Sequence, residues 1–193
     1  MKNLSELLKY GLYLDTETAG IDPVKNGLVS IGLVTASGEE MYRECRLYND
    51  QVAEPEALVI NGYTEEQVRD PLKPLPHQIV QEVVDFAKKR NTMFLIGKNP
   101  EFDWKMLEYP YVSRLQDTEY NGKKFPFSYR MLDVGGFGLM LWLALDMVVP
   151  PYGISSADLQ KILKLDPEPK PHNALTGARY NKALLEAIVE AFL

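Results

Sequence analysis

The stretch Tyr13-Leu14-Asp15-Thr16-Glu17-Thr18-Ala19-Gly20 constrains this chain more than any other. The apolar run from Leu12 to Leu14 calls for a strand, and Gly20 soon breaks the extended chain. Side chains two apart on a strand point to one face, so Asp15 and Glu17 stand side by side at a strand end. Two anions that close repel each other unless a cation or a shared proton relieves them. Hard divalent ions such as magnesium and manganese prefer such oxygen ligands. Taken alone, Asp-x-Glu is more often an exposed polar strand end than a metal site. The rest of the chain decides between the two.

At 193 residues the expectation is one globular domain, residues 1–193, with a sizeable core. The single cysteine, Cys45, excludes an internal disulfide framework and fits a reducing, cytoplasmic setting; it reads as a buried structural thiol. Lys2, Glu6 and Lys9 among the first leucines argue against a signal peptide. The apolar stretch 137–149 is too short to span a bilayer and carries Asp146, so no membrane partner is expected. A formal net charge of −6 argues against a broad basic face for duplex nucleic acid. A local site where bound cations supply positive charge remains compatible with it.

Local patterns predict a short helix over 3–9 and strands over 12–16, Leu28–Thr35 and 39–48, the last two joined at Ser37-Gly38. A short helix around Glu56 ends at Gly62, Thr64 to Gln67 has the capping-box pattern, and an amphipathic helix runs from Gln78 to Arg90 behind His77, an ordinary helix-start histidine. Met93 to Gly97 reads as a buried strand, followed by a helix whose first turn holds Asp103, where the backbone dipole favours a carboxylate. Residues 116–128 form a polar loop with Lys123 and Lys124. A strand over 129–134 and a buried helix over 137–149 come next, then a helix capped by Ser155 or Ser156. A segment stiffened by Pro167, Pro169 and Pro171 leads through His172 into a last helix.

In this order the chain resembles the DEDDh family of 3′–5′ exonucleases, the group of the bacterial polymerase proofreading subunit and ribonuclease T. The first motif is Leu14-Asp15-Thr16-Glu17-Thr18-Ala19-Gly20. The second, usually His-Asn-x-x-Phe-Asp, stands as Lys98-Asn99-Pro100-Glu101-Phe102-Asp103, with lysine in place of the common histidine. The third, His-x-Ala-x-x-Asp-Ala, stands as His172-Asn173-Ala174-Leu175-Thr176-Gly177-Ala178. Glu56-Ala57 followed by Asn61-Gly62 resembles the family segment that holds the terminal nucleotide, with Asn61 where the family often has histidine.

The resemblance implies an α/β, ribonuclease H-like mixed sheet of about five strands flanked by helices. It implies two divalent cations, Mg2+ or Mn2+, with Asp15 bridging them, Glu17 on the water-activating ion and Asp103 on the other. His172 is then the general base, and Thr18, Glu56, Asn61, Asn99 and Phe102 hold the nucleotide. The substrate is a single-stranded DNA or RNA 3′ end, released as nucleoside monophosphates, with a replication or repair partner for processive work. Gly177 is the departure that matters, because it stands where the family has its fourth metal-binding carboxylate. The expectation is impaired activity, with a catalytically inactive nucleic-acid-binding module on the same fold as the alternative. Glycine early in a helix is less favourable than alanine by up to about 1 kcal/mol, and the sequence offers no structural role to offset that.

Overall fold

A computed structural model describes residues 6, 8–114 and 124–192. The predicted helix over 3–9 falls mostly outside the described residues, as does most of the loop at 116–128, including Lys123. Three strands open the chain: β1 (Gly11–Thr18), β2 (Leu28–Thr35) and β3 (Glu40–Glu44). Helices α1 (Pro55–Asn61), α2 (Glu65–Arg69) and α3 (Pro76–Arg90) follow, then β4 (Phe94–Gly97) and α4 (Pro100–Ser113). The chain closes with β5 (Leu132–Asp133), α5 (Val134–Ala144), α6 (Ser156–Leu163) and α7 (Ala174–Ala191).

The sheet order is β3-β2-β1-β4-β5, antiparallel across β3, β2 and β1 and parallel across β1, β4 and β5. This is the mixed five-strand α/β sheet expected. Strand β1 lies at its centre, covered on both faces, which is why Leu12, Tyr13 and Leu14 are all buried. Leu12 and Leu14 pack with Ile79, Val83 and Ala87 of α3 and with Leu107 of α4. Tyr13 points the other way, into a core with Leu141 of α5, Leu159 of α6 and Leu184, Leu185 and Ile188 of α7. Period-two alternation therefore sends Asp15 and Glu17 to the α7 face and Thr16 to the α4 face.

Four expectations change. The third strand ends at Glu44 rather than 48, because Arg46 N–H turns to the Pro74 carbonyl and Leu47 N–H to the Val68 carbonyl. Cys45 is fully buried there, as expected, with its thiol against the Leu28 carbonyl at 3.2 Å. The strand over 129–134 shrinks to Leu132–Asp133, because Asp133 is a helix cap whose carboxylate accepts from Gly135 N–H at 2.9 Å. The helix expected over 137–149 is Val134–Ala144, and it is buried on one side only: Met140 is 63% and Leu143 55% exposed. The helix bearing Asp103, expected to run through Leu107, continues to Ser113 with Pro110 inside it.

Candidate active site

Three segments meet at one end of the central strand. Strand β1 supplies Asp15 and Glu17, paired in register with Gly32 and Ser30 of β2. The register shifts just after Glu17, which turns the chain out of the sheet toward Gly20. Neighbouring β4 ends at Gly97, where an added Cβ would lie 3.2 Å from the Leu14 carbonyl. The close approach of β4 brings the start of α4 against β1. Pro100 suits the first turn of that helix, whose own first N–H groups have no partner. Asp103 follows one turn later and is buried, its Oδ1 accepting from the Thr16 hydroxyl at 2.7 Å.

The third segment arrives from the last helix. Asn173 caps α7, accepting from Leu175 N–H at 3.0 Å and Thr176 N–H at 3.4 Å. Gly32 allows this helix end to sit directly on the sheet, because a Cβ there would come 2.1 Å from the Ala174 carbonyl oxygen. Asn181 ties α7 to β1 by donating to the Leu14 carbonyl at 2.9 Å, one residue from Asp15. His172 is held against α1 through its backbone N–H, which donates to the Ile60 carbonyl at 3.4 Å.

Gly177 corrects one expectation. It does have a structural role: an added Cβ would lie 2.2 Å from Asp15 Oδ2 and 2.6 Å from its Cγ. The Asp15 carboxylate occupies the volume that a side chain at 177 would take. Position 177 is therefore beside the first-motif aspartate, as the motif spacing implies, and only glycine leaves that carboxylate where it stands.

The electrostatics are those of anions short of counter-charge. Burial, then Asp103, Glu17 and Glu168, push the Asp15 carboxyl well above the usual carboxylate range, with Lys98 alone acting against them. Glu17 is raised to about 7 by burial, then by Glu168 and Asp103. Asp103 is also raised by burial, partly offset by the Thr16 hydrogen bond. Glu17 is 8% exposed as a residue, and it lines the cleft beside β1. Oxygen donors of this kind fit a hard divalent cation. As the side chains stand, no three His, Cys, Asp or Glu groups among the described residues converge on one ligating point. Thr16 holds Asp103, and Asp15 lies over Gly177, so closing on an ion requires side-chain rotation.

Beside the carboxylates opens a cleft of about 320 Å³ lined by Glu17, Thr18, Glu56, Ala57, Ile60 and Asn61, with Ile21 at its rim. It gathers Thr18, Glu56 and Asn61, three of the five residues expected to hold a nucleotide. Asn61 fixes the wall by donating to the Thr18 carbonyl at 3.1 Å. The other two lie away from the cleft. Asn99 is the cap of α4, its backbone N–H donating to Asp133 Oδ1 at 3.0 Å, and Phe102 is half-buried on that helix. A larger hollow of about 510 Å³ beside Glu82 and Arg43 contains none of the motif residues.

Sequence reasoning missed Glu168. This residue lies between Pro167 and Pro169, with its Oε1 3.7 Å from His172 Nδ1, and its charge acts on both Asp15 and Glu17. A carboxylate between two prolines has no period to betray it. Its distance of four residues from His172 is the one signal that was available.

No protein-family model matches the chain. It is 26% identical over 190 residues to the 3′–5′ DNA exonuclease Cap18 of Escherichia coli, covering 91% of this chain and 89% of that protein. The zinc-bound complex of E. coli exonuclease I with single-stranded DNA superposes over 93% of this chain with a TM-score of 0.66 at 15% identity. Product-bound exonuclease I does so over the same share, with a TM-score of 0.68 at 15% identity. The chain spans 40% and 43% of the length of those two exonuclease I chains. The chain therefore has the same fold as these exonuclease I structures over nearly its whole length.

Proposed function

We propose that the chain is a divalent-metal-dependent 3′–5′ exonuclease that removes nucleoside monophosphates from single-stranded DNA ends. The observation that carries this reading is the placement of Glu17, 8% exposed, on the same face of β1 as Asp15 and in the lining of a nucleotide-sized cleft. The relative named a 3′–5′ DNA exonuclease and the exonuclease I complex with single-stranded DNA support DNA over RNA as substrate. The zinc-bound form of that neighbour supports dependence on a divalent metal, here magnesium or manganese as a pair.

Asp15, Glu17 and Asp103 are the residues that would hold the metal. When bound, the ions supply charge stabilisation at the phosphodiester and acidify the attacking water. His172, at the mouth of α7, takes the proton from that water. Thr18, Glu56 and Asn61 position the terminal nucleotide, with the exposed side chains of Ile21 and Ile60 offering apolar surface to its base. Asn99 and Phe102 take the following nucleotide, beside Asp103. The acidic net charge of −6 leaves no long basic track, so processive work falls to a replication or repair partner.

A second reading, a nucleic-acid-binding module without hydrolysis, is favoured by one observation: the fourth carboxylate of the motif is absent at Gly177. Incubation with single-stranded DNA and MnCl2, followed by chromatography, separates the two. The nuclease releases nucleoside monophosphates, whereas the binding module retains intact oligonucleotide.

A further inference from the structure

Helix α5 carries two apolar faces, where a helix at the surface of a globular domain needs one. Val134, Leu141 and Trp142 form the inner face, packed with Leu159 of α6 and Leu184 and Leu185 of α7. The outer face holds Gly136, Leu139, Met140, Leu143 and Ala144, and all five are exposed. Their spacing of i, i+3, i+4, i+7 and i+8 is that of a helix face packed against another element. The chain beyond the helix extends the same surface. Trp142 Nε1 donates to the Val148 carbonyl at 3.1 Å and Met147 N–H to the Trp142 carbonyl at 3.2 Å, which folds residues 145–148 back onto the end of α5. Leu145, Val148 and Val149 are exposed there, Val148 by 89%. From Val134 to Leu145 no residue is charged. The outer face and this extension expose on the order of 800 Å², the share that one partner contributes to a standard interface. That exceeds the largest apolar patch of a typical monomer, roughly 300–600 Å².

Charge argues against a lipid surface as the occupant. Helices that lie on membranes set lysine and arginine beside their apolar face, and a chain with a net charge of −6 is repelled by anionic headgroups. The stripe itself has a twofold pattern: the small residues Gly136 and Ala144 stand four positions before and four positions after Met140. Turned about a twofold axis at Met140, the stripe meets itself antiparallel, with Gly136 of one copy opposite Ala144 of the other. Small residues at both ends let the helices approach closely, and the larger side chains fill the middle. An isologous contact sets residues near the axis against their own copies, so a face without charge pairs with itself at no electrostatic cost. We propose that the outer face of α5 is a dimer interface, in which two copies of this chain pack their α5 helices antiparallel about a twofold axis near Met140. The inference goes beyond the nuclease reading and does not depend on it.

The test is sedimentation velocity of the full chain from micromolar to sub-millimolar concentration, with Met140→Glu, Met140→Lys and their equimolar mixture alongside. The parent is expected to pass from monomer to dimer. Each variant alone is expected to dimerise at least about 100-fold more weakly, because it sets like charges against each other at the axis. Mixed, the two variants should form a heterodimer, since opposite charges then face each other. Met140 is 63% exposed in the single chain, so both variants keep the fold, which thermal melting of the dilute proteins checks. A parent that stays monomeric throughout overturns the proposal, and co-sedimentation of that monomer with phosphatidylserine vesicles gives the face to lipid instead. Dimerisation unchanged in both variants places the interface elsewhere and overturns it too. Variants that remain monomeric after mixing overturn the twofold pairing at Met140.

Discussion

The carboxylate of Asp15 occupies the space over the α-carbon of Gly177: a Cβ there would stand 2.2 Å from Asp15 Oδ2. The contact joins the first and third motifs across the junction of β1 and α7. Any side chain at 177 must move Asp15. Gly177→Asp therefore places two anions in one volume, and its melting temperature in EDTA should fall below that of the parent. MnCl2 should restore more stability to Gly177→Asp than to the parent, by drawing the two carboxylates onto a shared cation. Equal melting temperatures in EDTA would show that Asp15 has free rotamers and that the contact constrains nothing.

Metal should stabilise the protein through the same cluster. Magnesium or manganese binding to the folded state is expected to raise the melting temperature by mass action. The double change Asp15→Asn, Glu17→Gln should abolish the rise and increase stability in EDTA, because both side chains are held in a setting that disfavours their charge. A metal response that survives in this variant would move the site away from β1.

Stability should also depend on pH, with a definite sign. Burial raises Asp15, Glu17 and Asp103, and Glu17 reaches about 7. The folded state thus keeps protons that the unfolded chain has released. The resulting stability is complete below the ordinary carboxylate range and is lost as pH rises through the raised values. In EDTA the melting temperature should fall between about pH 5 and about pH 8 by more than it does in Asp15→Asn, Glu17→Gln. Thermal scans at both pH values check this; parallel behaviour of the two proteins would contradict it.

His172 stands apart from the buried carboxylates, with its side chain 36% exposed beside Glu168. If it takes the proton from the attacking water, His172→Ala should lower kcat by about 10²–10⁴-fold. Affinity for a single-stranded oligonucleotide, read by fluorescence anisotropy in EDTA, should stay near that of the parent. Full turnover in this variant would leave His172 as a surface residue.

Much of this arrangement is legible in the residues, and the failures share a cause. Asp15 and Glu17 are readable because a strand has a period of two and both faces of β1 are buried. Asp103 and His172 are readable only as members of ordered motifs, since each is ordinary in isolation. The role of Gly177 depends on how closely α7 approaches β1, a distance set jointly by Gly32 and Asn181 on different elements. No local pattern carries that. Helix α5 was expected to be buried because it is apolar all round, and such a helix gives no sign of which side faces water. Glu168 was invisible because prolines on both sides remove any periodicity. The bond between Thr16 and Asp103, 87 residues apart, is likewise a product of the β1–β4 pairing rather than of either motif.

The most direct test of the nuclease reading is denaturing gel analysis of a 5′-labelled single-stranded DNA incubated with the chain in MnCl2. The account predicts a ladder that shortens one nucleotide at a time from the 3′ end. The ladder should be absent in EDTA and absent with Asp15→Asn, Glu17→Gln. An oligonucleotide that binds yet stays full length in MnCl2 would contradict the account and leave a binding module on an exonuclease fold.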